Sequence, residues 1–426
     1  MAETSSSART RALPSLEDAE WLRRPATVRV FEALEAPGVE TRAVGGAVRD
    51  ALLGRAVREV DLATTAKPDK VMTLARKGGL KAIPTGIEHG TVTIVGGGAS
   101  FEVTTLRRDV ETFGRHATVA FTEDWEEDAR RRDFTLNALY AGRDGTVFDP
   151  LGGYEDVVAG RVRFIGDAEA RIKEDYLRIL RFFRFNAYYG KGSYDTEGLA
   201  ASVRLRDGLG RLSAERIKAE LWRLLLAPGA TTAIEALFDY GLLPGVLGGA
   251  PRLDRFNRLV EIERAQGLAP DAARRIAALA VFVQEAAPRL AARFRLSNAE
   301  QAVLALGAIG PDMLSLPDEN AAKRLLYRRG TDDFRDSVLL AWAGSDAAAD
   351  DADWRAVLTL PEHWQAPVFP LRGADLVETG EFHGPEIGDT LRHLEAEWID
   401  GGFATPRDEL LARAVALSRK SPKPNR

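Results

Sequence analysis

VGGAVRDALLGR, from Val44 to Arg55, is the stretch that decides the fold of the N-terminal part of this chain. Its pattern predicts the end of a strand, a turn at Gly45 and Gly46, and the start of an amphipathic helix. Glycines let the backbone approach a ligand, and the free N–H groups of a helix N-terminus attract anions. Arg49, in the first turn of this helix, could hold a phosphate oxygen. A tight turn with a surface arginine would explain the same residues without a ligand.

Two acidic residues follow in REVDLATTA, from Arg58 to Ala66. Residues two apart in a strand share a face, so a strand over EVDLA predicts that Glu59 and Asp61 point together. Adjacent carboxylates repel each other unless cations neutralise them, and a pair of magnesium ions would do so while activating a hydroxyl. A solvent-facing edge strand is the alternative. Glu102, in FEVTTL, is either a third catalytic acid or a surface carboxylate on a hairpin.

The pattern of apolar residues divides the chain into two parts. TRAV (Thr41 to Val44) is typical of a strand, and TVTIV (Thr91 to Val95) and FEVTTL (Phe101 to Leu106) are typical of a hairpin. From about Arg171 the apolar residues recur with a helical period nearly to the end. Breaks fall at Pro228-Gly229, Gly310-Pro311 and Gly384-Pro385. The sequence therefore predicts an α+β fold, with a catalytic domain built on a mixed sheet followed by a long all-helical region.

Composition restricts the class of protein. The 426 residues suffice for two or three domains, and 45% hydrophobic with 28% charged residues is ordinary for a soluble chain. No apolar run approaches the roughly 18 residues of a membrane helix, so we expect a cytoplasmic protein with no membrane partner. The absence of cysteine excludes disulfides and thiolate metal sites. The net charge of −5 does not by itself favour a nucleic-acid partner, but binding follows local patches. The oligomeric state cannot be read from the sequence.

Together these motifs resemble the nucleotidyltransferase superfamily that includes DNA polymerase beta, and more closely the bacterial CCA tRNA nucleotidyltransferase and poly(A) polymerase family. The resemblance runs over most of the chain. Its motifs are VGGAVRDALLG, EVDLATTA, EDARRRDFTLNALY (Glu127 to Tyr140), FDPLGGYED (Phe148 to Asp156), KEDYLRILRFFRF (Lys173 to Phe185) and SAERIKAEL (Ser213 to Leu221). One position departs from the family, which usually has Asp where this chain has Glu59. We expect an active enzyme with adjusted metal geometry; inactivity, or a shift of the ligand role to Asp61 and Glu102, is the alternative.

The resemblance also implies domains and site residues. The domains would be a disordered leader (1–20), a polymerase-beta-like nucleotidyltransferase head (21–155), a helical neck (156–226), a helical body (227–345) and an RNA-binding helical tail (346–426). The metal ligands would be Glu59 and Asp61, with Glu102 as a further catalytic acid. The nucleotide-binding residues would be Gly45, Gly46, Arg49, Arg131, Arg132, Asp133, Asn137, Glu174, Asp175, Arg178 and Arg181.

One acid and one arginine can distinguish C and A from U and G. Cytosine and adenine present an exocyclic amine beside an unprotonated ring nitrogen, so a carboxylate accepts from the first and an arginine donates to the second. Uracil and guanine present a carbonyl beside a ring N–H and would be rejected. In the family the matching positions have this role, here Asp175 and Arg178 with Glu174 as orienting support. Their spacing on one helix would also suit an ordinary salt-bridge stripe.

The resemblance implies CCA addition to tRNA from CTP and ATP, with Mg²⁺ as cofactor. The segment from Arg107 to Ala129 resembles the full-length flexible loop of CCA-adding enzymes, and Thr64-Thr65-Ala66 replaces the Thr-Asn-Ala expected in bacterial poly(A) polymerases. Poly(A) addition or CC-only addition is the alternative within the same class. A catalytically inert RNA-binding protein, suggested by Glu59, is the alternative from another class.

Overall fold

The computed structural model describes residues 13–113, 116–308 and 316–420, and describes no side chains at 109–113, 116–118, 419 and 420. The chain forms two compact units, which divide between Gly249 and Ala250. Parts of three predicted features lie outside the described residues: residues 1–12 of the leader, the break at Gly310-Pro311, and residues 421–426 of the tail. Within the described part of the chain, no helix is both long enough and apolar enough to cross a membrane.

The first unit combines all the described strands with twelve helices. The strands are β1 (Thr41–Val44), β2 (Asp61–Thr64), β3 (Lys81–Gly86), β4 (Thr91–Gly96), β5 (Ala99–Thr105), β6 (Arg107–Phe113), β7 (His116–Phe121), β8 (Tyr140–Ala141) and β9 (Val147–Phe148). The helices are α1 (Glu20–Arg23), α2 (Pro25–Leu34), α3 (Gly46–Leu52), α4 (Pro68–Lys77), α5 (Trp125–Arg130), α6 (Gly153–Ala159), α7 (Ala168–Glu174), α8 (Leu177–Tyr189), α9 (Thr196–Arg204), α10 (Ala214–Leu225), α11 (Ala230–Asp239) and α12 (Leu243–Leu247). Short 3₁₀ turns cover Ile87–His89, Thr135–Asn137 and Arg206–Arg211.

Seven strands form one mixed sheet in the order β3-β4-β5-β2-β1-β8-β9, and β6 and β7 form a separate hairpin. β2 and β5 run parallel, with Leu62 opposite Val103, whereas the neighbouring pairs are antiparallel. Side chains alternate along β5, where Phe101 and Val103 are buried and Glu102 is exposed. The sheet therefore buries one set of apolar side chains and presents its acids together on the other face.

The second unit contains helices and loops, with no strand among its described residues. Its helices are α13 (Leu253–Ala265), α14 (Ala272–Ala280), α15 (Ala286–Phe294), α16 (Asn298–Leu306), α17 (Glu319–Gly344), α18 (Ala352–Leu358), α19 (Leu360–His363), α20 (Gly373–Glu378), α21 (Pro385–Asp400) and α22 (Arg407–Lys420). Helix α17 is interrupted at Gly330, which has a positive φ of 75°. Towards the C-terminus a core forms around Leu376, Leu394 and Trp398.

The segment from Arg107 begins with the β6–β7 hairpin, and its resemblance to the flexible loop of the family stays a prediction. The α+β class and the predicted β1, hairpin and α21 start agree with the structure, but two local predictions were wrong. The strand with the acids begins at Asp61, so Glu59 precedes it. Part of the expected leader is ordered, because Leu16 is buried and its N–H donates to the carbonyl of Gly145 at 2.8 Å. The other domain boundaries stay predictions.

Candidate active site

A cavity of about 590 Å³ opens beside the mixed sheet of the first unit. The turn after β1 forms part of its wall. Gly45 has φ 69° and ψ −114°, a backbone conformation that glycine adopts without strain, and this turn leads directly into α3. Gly46 and Arg49 line the same wall. The chain thus passes from a strand to a helix N-terminus at the cavity, as a phosphate site requires.

The acids Asp61 and Glu102 lie on adjacent parallel strands. Because Leu62 is opposite Val103, the residues that precede them, Asp61 and Glu102, occupy corresponding positions on the exposed face. Both line the cavity. Glu59 is exposed and lies outside the lining residues, since the chain has not yet entered β2 at that point. The structure therefore brings Asp61 and Glu102 together on the cavity wall, and Glu59 lies near enough for its charge to act on Asp61.

The carboxyl of Asp61 lies in a strongly negative environment. Partial burial, followed by the charges of Glu102 and then Glu59, raises its pKa to about 6 against a smaller opposing effect of Arg132. Among the described residues, no group of three or more His, Asp or Glu side chains is arranged to hold a metal ion. Two carboxylates nevertheless fit a hard cation such as Mg²⁺, which takes one or two protein carboxylates and completes its shell with water and substrate phosphates.

Two arginines at the end of α5 are held over the cavity by one buried acid. The Asp128 carboxylate accepts hydrogen bonds from Arg131 Nε at 2.8 Å, from Arg132 Nη2 at 2.9 Å and from the Tyr140 hydroxyl at 2.9 Å. Burial raises the pKa of Asp128, but the guanidinium groups of Arg132 and Arg131 outweigh it and hold that pKa at about 2. Asp128 is thus a charged anchor that fixes both arginines.

Asp133 connects this segment to α8. Its carboxylate accepts from Arg181 Nε at 2.8 Å, from Asn137 Nδ2 at 2.9 Å and from the backbone N–H of Phe134 at 2.8 Å. Burial raises the pKa of Asp133, but Arg181 and these hydrogen bonds outweigh it and bring the pKa to about 2. Asn137 Oδ1 in turn accepts from Arg49 Nη1 at 2.6 Å. A continuous polar network therefore runs from the glycine turn to α8.

The predicted single helix from Arg171 is two helices, and this was a wrong prediction. The break falls at Asp175, which is extended (φ −154°, ψ 106°). Its Oδ1 accepts from the backbone N–H of Leu177 at 3.1 Å, a role in which aspartate is favoured over a helix interior. Its Oδ2 accepts from Arg216 Nη2 at 2.7 Å. The break therefore presents Asp175 to the cavity from the start of α8.

Arg178 also lines the cavity, but its closest ionic partner is Glu174 rather than Asp175. Its Nη1 donates to the Glu174 carboxylate and, at 2.8 Å, to the carbonyl of Arg171. Its Nη2 lies 3.4 Å from the carbonyl of Arg131. These contacts fix the guanidinium in the wall of the cavity that Asp175 also lines.

The structure gathers most of the predicted site residues. Those that line the cavity are Gly45, Gly46, Arg49, Asp61, Glu102, Arg131, Arg132, Asp133, Asn137, Asp175, Arg178 and Arg181. Glu59 and Glu174 are not lining residues, although each acts on one that is. Sequence reasoning missed Asp128, Arg216 and Arg107. Asp128 could have been found from its spacing, because it lies three and four residues before Arg131 and Arg132. Arg216 and Arg107 reach the cavity only through tertiary folding.

The fold and the cavity define a nucleotidyltransferase head, and comparison with known proteins supports this class. Residues 41–163 match the family model for the poly A polymerase head domain. Residues 195–256 match the model described as a probable RNA and SrmB-binding site of polymerase A.

Similar proteins of known name indicate one family among the nucleotidyltransferases. The chain is 36% identical over 392 residues to mouse CCA tRNA nucleotidyltransferase 1, mitochondrial, covering 88% of this chain and 86% of the relative. It is 33% identical to the CCA-adding enzyme of Geobacillus stearothermophilus, covering 92% and 96%. The crystal structure of the Bacillus stearothermophilus CCA-adding enzyme in complex with CTP aligns with a TM-score of 0.68 at 28% identity, covering 92% and 96%. The chain therefore belongs to the family of CCA-adding tRNA nucleotidyltransferases.

Proposed function

We propose that this chain adds C, C and A in turn to the 3′ end of tRNA, using CTP and ATP and releasing pyrophosphate. The observation that carries the proposal is the convergence in one cavity of an acidic pair, a phosphate turn and an acid with an arginine suited to C and A. The relatives that are named CCA-adding enzymes, and the relative crystallised with CTP, support the same substrates.

In the reaction, the 3′-hydroxyl oxygen of the RNA forms a bond to the α-phosphorus while the bond from that phosphorus to the pyrophosphate oxygen breaks. We propose Asp61 and Glu102 as the residues that hold Mg²⁺, with Glu59 adding negative charge nearby. Bound there, Mg²⁺ would lower the pKa of the attacking hydroxyl and offset charge on the leaving pyrophosphate. Burial and neighbouring acids disfavour the ionised form of Asp61, so the arrangement of charges favours a cation at this position.

The triphosphate would lie between the glycine turn and the arginines at the end of α5. Gly45 and Gly46 allow close approach, and Arg49, Arg131 and Arg132 supply positive charge. These guanidiniums are fixed by carboxylates and amides, so little ordering is required when a nucleotide binds. This part of the site contributes to catalysis by holding its positive charges in place before the nucleotide binds.

Asp175 and Arg178 would read the base. The carboxylate accepts from the exocyclic amine of cytosine or adenine, and the guanidinium donates to the adjacent ring nitrogen. Arg216 orients the first group and Glu174 the second. Because each reading group is paired with its own partner and not with the other, each can face the base.

The poly(A), CC-only and inert alternatives are not favoured, because the relatives above are named for CCA addition. The cytoplasmic location expected from the sequence stays a prediction, since the mouse relative carries a mitochondrial name.

Omission of single nucleotides tests the proposal. A tRNA transcript that ends before CCA would be incubated with Mg²⁺ and with CTP alone, ATP alone or both. We expect two nucleotides from CTP alone, none from ATP alone and three from both. Asp61→Ala should abolish extension, and Asp69→Ala, which changes an exposed acid of α4, should not. Extension by ATP alone would contradict the proposal.

A further inference from the structure

The last residue of α8, Tyr189, touches a residue assigned above to the triphosphate. Arg49 Nη2 donates to the Tyr189 hydroxyl at 2.6 Å, and the guanidinium carbon lies 4.0 Å from the centre of the ring. The Asp50 carboxylate accepts from Arg49 Nε at 3.0 Å, and burial together with the charge of Asp50 raises the pKa of the Tyr189 hydroxyl. Arg49 thus holds Asp50 and Tyr189 through two of its nitrogens.

A second arginine of the same motif holds the same end of the helix. Arg55 Nη1 donates to the carbonyl of Tyr188 at 3.0 Å, and its guanidinium carbon lies 4.8 Å from the ring centre of Tyr189. A cation near the C-terminal carbonyls of a helix is favourable because of the helix dipole. The ring of Tyr189 is therefore contacted by two guanidiniums, both from the VGGAVRDALLGR segment.

These contacts leave Arg49 with little freedom. Its side chain is 7% exposed, and Asn137, Asp50 and Tyr189 each take one of its nitrogens. Asn137 and Asp50 lie close to Arg49 in the head, whereas Tyr189 comes from the helix that begins beside Asp175. Helix α8 thus meets the Arg49 guanidinium through the ring of Phe185, at 5.4 Å, and through Tyr189, which supplies the hydrogen bond that orients it.

We propose that Tyr189 is a positioning residue for nucleotide binding, acting through Arg49 on the triphosphate and not on the base. The inference rests on the proposed function, because it needs Arg49 to face a nucleotide. A hydroxyl that places a phosphate-binding guanidinium acts equally on CTP and ATP, since their triphosphates are identical. It leaves the choice of base to the opposite end of α8.

The test compares Tyr189→Phe with Tyr188→Phe in steady-state CCA addition. Tyr188 is the matched control, because it is the adjacent tyrosine and its hydroxyl donates to the carbonyl of Arg223 at 3.2 Å, away from Arg49. For Tyr189→Phe we expect KM to rise about fivefold to tenfold for both CTP and ATP. This is less than the roughly tenfold to hundredfold for losing a hydrogen bond to a charged group outright, because Asn137 and Asp50 still hold Arg49. KM for tRNA and the preference for CTP over UTP should not change. Tyr188→Phe should behave as wild type.

A double variant distinguishes positioning from general support of the fold. If Tyr189 acts through Arg49, Tyr189→Phe should have little further effect on KM in an Arg49→Lys background. The inference would be overturned if the effects of the two substitutions on KM multiplied in the double variant. It would also be overturned if Tyr189→Phe had a wild-type KM or lost its preference for CTP over UTP. Failure of the wild-type protein to add CCA would instead refute the proposed function, so the two failures are distinguishable.

Discussion

Arg178→Ala removes a guanidinium that is 14% exposed and is held at the cavity by the Glu174 carboxylate and the carbonyl oxygens of Arg171 and Arg131. The variant loses the donor that faces the ring nitrogen of cytosine or adenine. A hydrogen bond to a charged group contributes about 1.5–3 kcal/mol, so the preference for CTP over UTP should fall by about tenfold to a hundredfold. The exclusion of UTP weakens for the same reason, because no donor remains to oppose the uracil N–H.

The assay is competition between CTP and UTP for a tRNA transcript lacking CCA, with the first added nucleotide read by sequencing. Arg204→Ala is the control, because Arg204 is 60% exposed and pairs with Glu169 outside the cavity lining. Unchanged selectivity in Arg178→Ala, with the control also unchanged, would refute the base-reading role. Equal losses in both variants would point to a general effect of removing an arginine.

Four further substitutions test other parts of the site. In measurements of initial rates, Asp61→Ala should reduce extension at least about a thousandfold and Glu59→Ala much less. The reason is that Asp61 lines the cavity and Glu59 does not. Arg216→Ala should weaken the preference for CTP over UTP in the competition assay, because Asp175 loses its 2.7 Å partner. Asp128→Asn should lower the free energy of unfolding at pH 7 by about 2 kcal/mol in urea titrations, since the pKa of Asp128 is about 2 in place of 3.8.

The pH dependence of the last variant has a definite sign. A carboxyl whose pKa falls on folding stabilises the protein above its unfolded pKa, and that stability is lost as pH falls through the folded pKa. The difference between wild type and Asp128→Asn should therefore be constant above about pH 5 and shrink between about pH 4 and pH 2. A difference that does not vary with pH would contradict the ionised state of Asp128.

Equal rates for Glu59→Ala and Asp61→Ala would contradict the assignment of Asp61 as the more important acid. Normal selectivity in Arg216→Ala would contradict the role of Arg216 in orienting Asp175.

The sequence pattern predicted those helices and strands that depend on interactions between residues close together in the chain. The strand before Gly45, the helix after it and the hairpin that carries Glu102 follow from alternation and from glycine turns. The break before α8 was not predictable from helical periodicity, because it depends on Asp175 capping the backbone at Leu177 and meeting Arg216, 41 residues further on.

Partners remote in sequence explain the remaining differences. The contact between Arg49 and Tyr189 joins residues 140 apart, and that between Arg49 and Asn137 joins residues 88 apart. No periodicity encodes such pairs. Strand register has the same limitation, since β2 and β5 had to be aligned before Asp61 and Glu102 could be recognised as neighbours.

The central claim is that this cavity performs untemplated CCA addition. The most direct measurement supplies all four nucleotides and Mg²⁺ to the purified protein with a tRNA transcript that ends before CCA, and sequences the new 3′ ends. The account predicts three added nucleotides reading CCA, with U and G excluded. Long A tails, a stop after CC, or no extension would contradict it.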